Sequence, residues 1–170
     1  MATLALIGII LFCLYCIVTT TVFFIPVSLS ESYYLWSEKG SEYKGFFGAA
    51  MVLTAVLLIA PMLELGIGSI WQFTGFLTPA GLLFTAATPH FKNKNLTDKW
   101  LHPASAWICA ISAIIWQLCI AEMWQFMIIA LIFNLFLALV TRTLKKCYTF
   151  WIEMVCFLSI FCCLIKIYYF

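Results

Sequence analysis

TLALIGIILFCLYCIVTTTVFFI, residues 3–25, contains no Asp, Glu, Lys or Arg. A helix needs roughly 20 apolar residues to cross the hydrocarbon of a bilayer and tolerates about 17. This stretch therefore reads as a membrane span. It does not read as a signal peptide, because no positive charge precedes it and its apolar core is too long. Five further runs qualify, at residues 45–63, 69–88, 101–120, 124–141 and 149–165. None alternates apolar and polar side chains, and backbone N–H groups in lipid must be bonded within the structure, so helices are expected throughout. The expected fold is all-α: a polytopic membrane bundle of six helices, one domain over residues 1–170, with no room for a separate soluble domain.

Composition agrees. The chain is 65% hydrophobic and 9% charged, where soluble domains average about 25% charged residues. A net charge of +2, with lysines scattered at span edges, gives no footprint for nucleic acid. The polar segments sort by side. Lys39 and Lys44 lie in the first loop, Lys92, Lys94 and Lys99 in the third, and Arg142, Lys145 and Lys146 in the fifth. Loops two and four hold only Glu64 and Glu122. The positive-inside rule puts loops 26–44, 89–100 and 142–148 in the cytoplasm and both termini outside. A bacterial inner membrane is the expected location. Asn95-Leu96-Thr97 matches the glycosylation pattern, but in a cytoplasmic loop it is a chance match. Tyr and Trp residues such as Trp36, Trp71, Trp100, Trp124 and Trp151 mark the span edges, whereas Trp107 and Trp116 sit deeper and read as packing residues.

Small residues let membrane helices approach closely. The second segment offers Gly48, Ala49 and Ala55, the third Gly75, Ala80 and Gly81, and the fourth Ser105, Cys109, Ser112 and Ala113. A core of segments two to four follows, with five and six outside, facing lipid or another subunit. Pro61 and Pro79 are expected to bend their helices. Seven of the eight cysteines lie in apolar runs and read as packing residues, so no thiol-built metal or redox site is expected.

Ionisable groups inside a membrane are expensive, and few are present. The densest polar group joins the third and fourth segments: Thr85, Thr88, His90, Asp98, His102 and Ser105. Asp98, His102 and Ser105 have helical spacing, and a carboxylate can orient an imidazole. Two histidines and an aspartate also suffice for an open zinc site. Pro103, however, suits the first turn of a helix, which leaves Asp98 outside it, free for capping. Asn134 lies mid-span and wants a partner, either a neighbouring helix or a pore. Glu153 lies one turn inside the last segment, as an edge ion pair with Arg142, Lys145 or Lys146, or as a proton-relay carboxylate. Glu64 and Glu122 share one side, as solvated loop residues or an acidic mouth for cations. The hydroxyl-rich stretch Ser28-Leu29-Ser30-Glu31-Ser32-Tyr33-Tyr34 suits a segment lying along the headgroups. No nucleotide-binding glycine loop, Gly-x-Ser-x-Gly elbow or His-Glu-x-x-His helix occurs.

That hydroxyl-rich stretch, followed by Gln72-Phe73, Ala80-Gly81-Leu82-Leu83-Phe84, Ala86-Ala87-Thr88-Pro89 and His102, resembles small six-helix bacterial membrane proteins of the FRAG/DRAM/Sfk-like pattern. The resemblance covers roughly residues 26–116. It implies a six-helix fold and makes Ser30, Tyr33, Pro89 and His102 the better candidates for a shared site.

Three functional readings stand. The leading one is a self-associating, non-enzymatic channel, transporter subunit or membrane-perturbing effector, which as a pore needs a symmetric oligomer. The second is an intramembrane lipid hydrolase, with His90, Asp98, His102 and Ser30 as base, ligands or nucleophile. The third is an accessory subunit of a membrane-protein partner. Membrane lipids are partners in each, and no cofactor is expected.

Overall fold

A computed structural model describes the chain except residues 90, 91, 93–95 and 141–146, and of 96–98, 138 and 140 describes the backbone alone. Among the described residues are seven α-helices and no strand: α1 (Ala2–Phe23), α2 (Ser32–Lys39), α3 (Phe46–Leu65), α4 (Gln72–Ala87), α5 (Leu96–Cys119), α6 (Trp124–Val140) and α7 (Tyr148–Tyr169). Four stretches are long and apolar enough to cross a membrane: Ala2–Phe23, Ser41–Leu65, Lys99–Cys119 and Tyr148–Tyr169. The helices α4 and α6 are shorter, at 16 and 17 residues.

The packing follows from small residues on α4. A Cβ added at Gly75 would lie 2.6 Å from the Met62 carbonyl oxygen of α3. One added at Gly81 would lie 2.7 Å from the Cys109 nitrogen and 2.8 Å from the Ser105 oxygen of α5. Only a missing side chain lets α4 settle between α3 and α5. Hydrogen bonds then join the helices: Thr78 Oγ1 donates to Ser112 Oγ at 3.0 Å, and Trp116 Nε1 to the Met62 carbonyl at 3.2 Å. That carbonyl belongs to the last turn of α3, where the helix itself leaves oxygens unsatisfied. On the other flank of α3 lies α1, and α6 and α7 form a hairpin whose α7 touches α1.

Several expectations change. The last helix was expected outside, yet α7 buries Phe161, Cys163 and Leu164, and Phe157 lies with its ring centroid 4.4 Å from that of Phe12 in α1. Bulky composition did not distinguish a lipid-facing helix from one packed inside. The expectation holds for α6, whose Ile129, Ile132, Leu135 and Leu139 are exposed. Trp116 is fully buried as a packing residue, whereas Trp107 is 67% exposed. Helix α5 starts at Leu96, which places the Asp98 backbone in its first turn and Pro103 inside it. All eight cysteines are free. Cys13 and Cys16, in Cys-x-x-Cys spacing on α1, are not paired, and the Cys16 thiol lies 3.6 Å from Met154 Sδ.

The hydroxyl-rich stretch after α1 packs against the bundle on one face. It turns back into the bundle and enters α2, burying Ser30, Ser32, Tyr33 and Trp36. Trp36 Nε1 donates to Thr19 Oγ1 at 3.2 Å, and the Tyr15 hydroxyl pairs with Ser32 Oγ. Polar groups buried this way are stable because each has a partner.

Candidate functional site

The turn at 28–32 is built from its own hydroxyls. Ser28 Oγ accepts the Glu31 N–H at 3.0 Å. The Ser28, Leu29 and Ser30 carbonyls accept the N–H groups of Glu31, Ser32 and Tyr33. Two bonds fix this turn to the start of α7. The Val27 carbonyl takes the Phe150 N–H at 3.1 Å, and the Leu29 N–H donates to Glu153 Oε2 at 2.5 Å. Phe150 lies in the first turn of α7, where an N–H has no partner within the helix.

Held between these anchors, Ser30 faces α5. Its Oγ lies 2.9 Å from His102 Nε2, and both residues are buried. On the far side of the ring, Nδ1 lies 2.9 Å from the Thr88 carbonyl oxygen. A carbonyl oxygen only accepts, so Nδ1 must carry the proton, and in the neutral ring Nε2 is left with its lone pair toward Ser30. The Thr88 carbonyl is available because Pro89 follows it. A residue before proline is pushed out of helical geometry, and Thr88 sits at φ −116°, ψ 53° at the C-terminus of α4. Ser105 supports the other side of the histidine: its Oγ donates to the His102 carbonyl at 2.9 Å and lies 3.1 Å from Thr85 Oγ1.

Ser30 and Glu153 line a cavity of about 320 Å³, together with Thr85 and Thr149 at the same end. The remaining wall is almost wholly apolar: Met51, Leu82, Ala110, Ala113, Phe157 and Ile160 among others. The exposed face of the turn is strapped by Lys92, whose ammonium pairs with Glu31 and lies 4.6 Å from the centre of the Tyr34 ring. The Lys92 backbone N–H also donates to the Tyr34 hydroxyl at 2.8 Å. An exposed pair of this kind contributes little energy, but it joins the third loop to the turn carrying Ser30.

The other sequence candidates scatter. His90 and the side chain of Asp98 lie outside the described residues, as do Asn95, Arg142, Lys145 and Lys146. Among the described residues no group of three His, Cys, Asp or Glu side chains gathers as a metal site. Tyr33 is buried on α2 with its ring against Tyr34 and Phe47. Asn134 is on α6, away from the cavity, and its buried Oδ1 has no hydrogen-bond partner among the described residues. At the other end of the bundle, Glu64 Oε2 accepts the Tyr168 hydroxyl at 2.8 Å, and Glu122 occupies a left-handed turn conformation at φ 52°.

Sequence reasoning named both Ser30 and His102 but not their pairing, and it missed two backbone groups. These are the Thr88 carbonyl and the Leu29 N–H. The Pro89 after Thr88 was the available signal for the first, and nothing in residue type signals the second. No protein-family model matches the chain, and no curated protein or solved structure matches it either.

Proposed function

We propose that the protein is an intramembrane acyl hydrolase or acyltransferase with Ser30 as nucleophile and His102 as general base. The observation that carries this is the chain Ser30 Oγ, His102 Nε2, His102 Nδ1, Thr88 carbonyl, ending on a largely apolar cavity. The Ser30–His102 distance lies within the hydrogen-bond reach required of a general base. The Thr88 carbonyl has the orienting role that a carboxylate has in serine hydrolases, fixing the tautomer and the ring plane.

The chemistry is two-step. Ser30 Oγ attacks the carbonyl carbon of an ester while its proton moves to His102 Nε2. The proton passes to the leaving alcohol oxygen as the ester bond breaks, leaving an acyl–Ser30 ester. A water, or a second alcohol, gives its proton to Nε2 and attacks that ester. The acid, or a new ester, departs, and Ser30 recovers its proton.

Of the three sequence readings this is the second, with Ser30 and His102 kept and no metal required for the step. The small residues that suggested self-association are engaged within one chain, at Gly75 and Gly81. In this reading the shorter α4 and α6 cross the bilayer together with the four longer spans, making six crossings. The lysine-bearing loops then share the cytoplasmic side with the Ser30 end, and both termini lie outside.

Activity-based labelling tests it. An alkyl fluorophosphonate added to the detergent-solubilised protein is expected to modify Ser30, located by peptide mass spectrometry. Ser30→Ala abolishes the adduct and His102→Ala slows its formation. An unmodified Ser30 under conditions that saturate a control serine hydrolase removes the proposal.

A further inference from the structure

The cavity beside Ser30 is not an enclosed pocket of the core. Its two long walls are α5 and α7, and its back is formed by Phe47 and Met51 of α3 and Leu82 and Thr85 of α4. Along α5 the lining runs from Pro103 through Ala106, Trp107 and Ala110 to Ala113. Pro103, Ala106 and Trp107 are exposed, Ala110 is half-buried and Ala113 is buried. Along α7 the lining changes in the same direction, from half-buried Ile152 and Glu153 to buried Ile160. The cavity is thus open sideways between α5 and α7 near the lysine-loop end and closed farther in.

Its depth is informative. Ten residues separate Pro103 from Ala113, which at 1.5 Å per residue is about 15 Å along the helix axis. That is half of the roughly 30 Å hydrocarbon thickness, one leaflet. Polar groups are confined to the shallow end, where Ser30, Thr85, Thr149 and Glu153 lie. The deep end offers a hydrocarbon chain everything it needs and a peptide backbone no hydrogen-bond partners. Three alanines on α5, Ala106, Ala110 and Ala113, line the cleft where larger residues would fill it.

We propose that this cleft is the acyl site for a membrane lipid: one chain enters laterally between α5 and α7, past Trp107, lies against Ala106, Ala110 and Ala113, and brings its ester level with Ser30. The lipid comes from the leaflet on the lysine-loop side. Ala113 and Ile160, the deepest lining residues of α5 and α7, form the floor that limits chain length. The inference rests on Ser30 as nucleophile for the reaction, though not for occupancy of the cleft.

Two measurements on the full chain separate these claims. The first reconstitutes the protein in phosphatidylglycerol vesicles containing a lipid with a diazirine midway along one acyl chain. After irradiation, crosslinks are expected on α5 and α7 at Ala106, Ala110, Ile152 or Cys156, and equally in Ser30→Ala. The second compares release from a palmitoyl ester and from a butyryl ester of the same alcohol. Ala110→Phe is expected to lower the palmitoyl-to-butyryl ratio by about tenfold or more, the scale on which pocket shape discriminates hydrocarbon. Ala106→Leu, a smaller change, should lower it in the same direction. Crosslinks spread over the outer faces of α1 and α6, or a ratio unmoved by both variants, overturn the acyl cleft while leaving Ser30 chemistry standing. Crosslinks in the cleft with no Ser30-dependent release leave a lipid site and remove the enzyme.

Discussion

Ser30 and His102 lie 72 positions apart in the chain, yet their Oγ and Nε2 atoms stand 2.9 Å apart in the interior of the bundle. The pairing depends on three elements arriving together. The 28–32 turn supplies the serine, the second turn of α5 supplies the histidine, and the C-terminus of α4 supplies the carbonyl that fixes the ring. A buried serine and histidine elsewhere in a membrane bundle would be satisfied by the nearest helix carbonyl. Here the histidine is bonded on both nitrogens, and the serine lines an open cavity.

The imidazole and its carbonyl give separable predictions. Replacing His102 by Ala should slow fluorophosphonate labelling of Ser30 by about 10²–10⁴-fold, the range contributed by a positioned general base. Replacing Pro89 by Ala lets α4 continue through Thr88 and turns that carbonyl into the helix ladder. A misplacement near 1 Å can lower a rate by about 100-fold, so Pro89→Ala should slow labelling while thermal unfolding in detergent changes little. Equal labelling rates in wild type and Pro89→Ala would show that the carbonyl does not orient the ring.

Glu153 acts on Ser30 through the backbone. Its Oε2 holds the Leu29 N–H, one residue before Ser30. Glu153→Gln keeps an acceptor oxygen at that position, whereas Glu153→Ala leaves a partly buried N–H unsatisfied, at about 1–3 kcal/mol. Labelling of Ser30 should therefore slow in the alanine variant and largely recover in the glutamine variant. If glutamine behaves like alanine, the carboxylate charge rather than the hydrogen bond is what matters.

The apolar helices were legible from sequence because long uncharged runs leave the backbone no partners but its own. The six apolar runs coincide with α1 and α3 to α7 within a few residues, and four stretches are long and apolar enough to cross a membrane. The largest shift is at α5, which begins at Leu96 and so carries Pro103 inside it rather than in its first turn. Helix α2 was not legible: eight residues without an apolar run are stabilised by contacts with Thr19 and Tyr15 that no local pattern encodes. The inward placement of α7 was hidden for another reason. A helix apolar on every face carries no stripe to say which side packs. At the site, residue type pointed to Ser30 and His102. The Thr88 carbonyl and the Leu29 N–H are main-chain groups, visible only once the chain is folded.

Close packing at α4 predicts a sharp contrast between glycines. An added methyl at Gly81 meets backbone atoms of α5 at 2.7 and 2.8 Å, while one at Gly48 has its nearest neighbour, the Ala86 carbonyl, at 3.8 Å. Backbone cannot swing aside as a flexible side chain can, so Gly81→Ala forces α4 and α5 apart. Overpacking of this kind destabilises by about 1–3 kcal/mol. Thermal unfolding in detergent should show a lowered midpoint for Gly81→Ala and little change for Gly48→Ala. Since α5 carries His102, the Gly81 variant should also lose Ser30 labelling before it unfolds.

The threading is testable with two native thiols. Cys119 ends α5 at the far end from Ser30 and is exposed, whereas Cys147 immediately precedes α7 at the Ser30 end and is half-exposed. With lysine-bearing loops in the cytoplasm, the two thiols lie on opposite sides of the membrane. In variants retaining one cysteine each, a membrane-impermeant maleimide applied to intact cells should tag Cys119 and spare Cys147. Permeabilisation should then expose Cys147. The reverse pattern would put the Ser30 end, and the leaflet facing the proposed acyl cleft, on the outer side. Tagging of both before permeabilisation would break the proposed six-crossing topology itself, because in that topology α6 is the single crossing between the two positions.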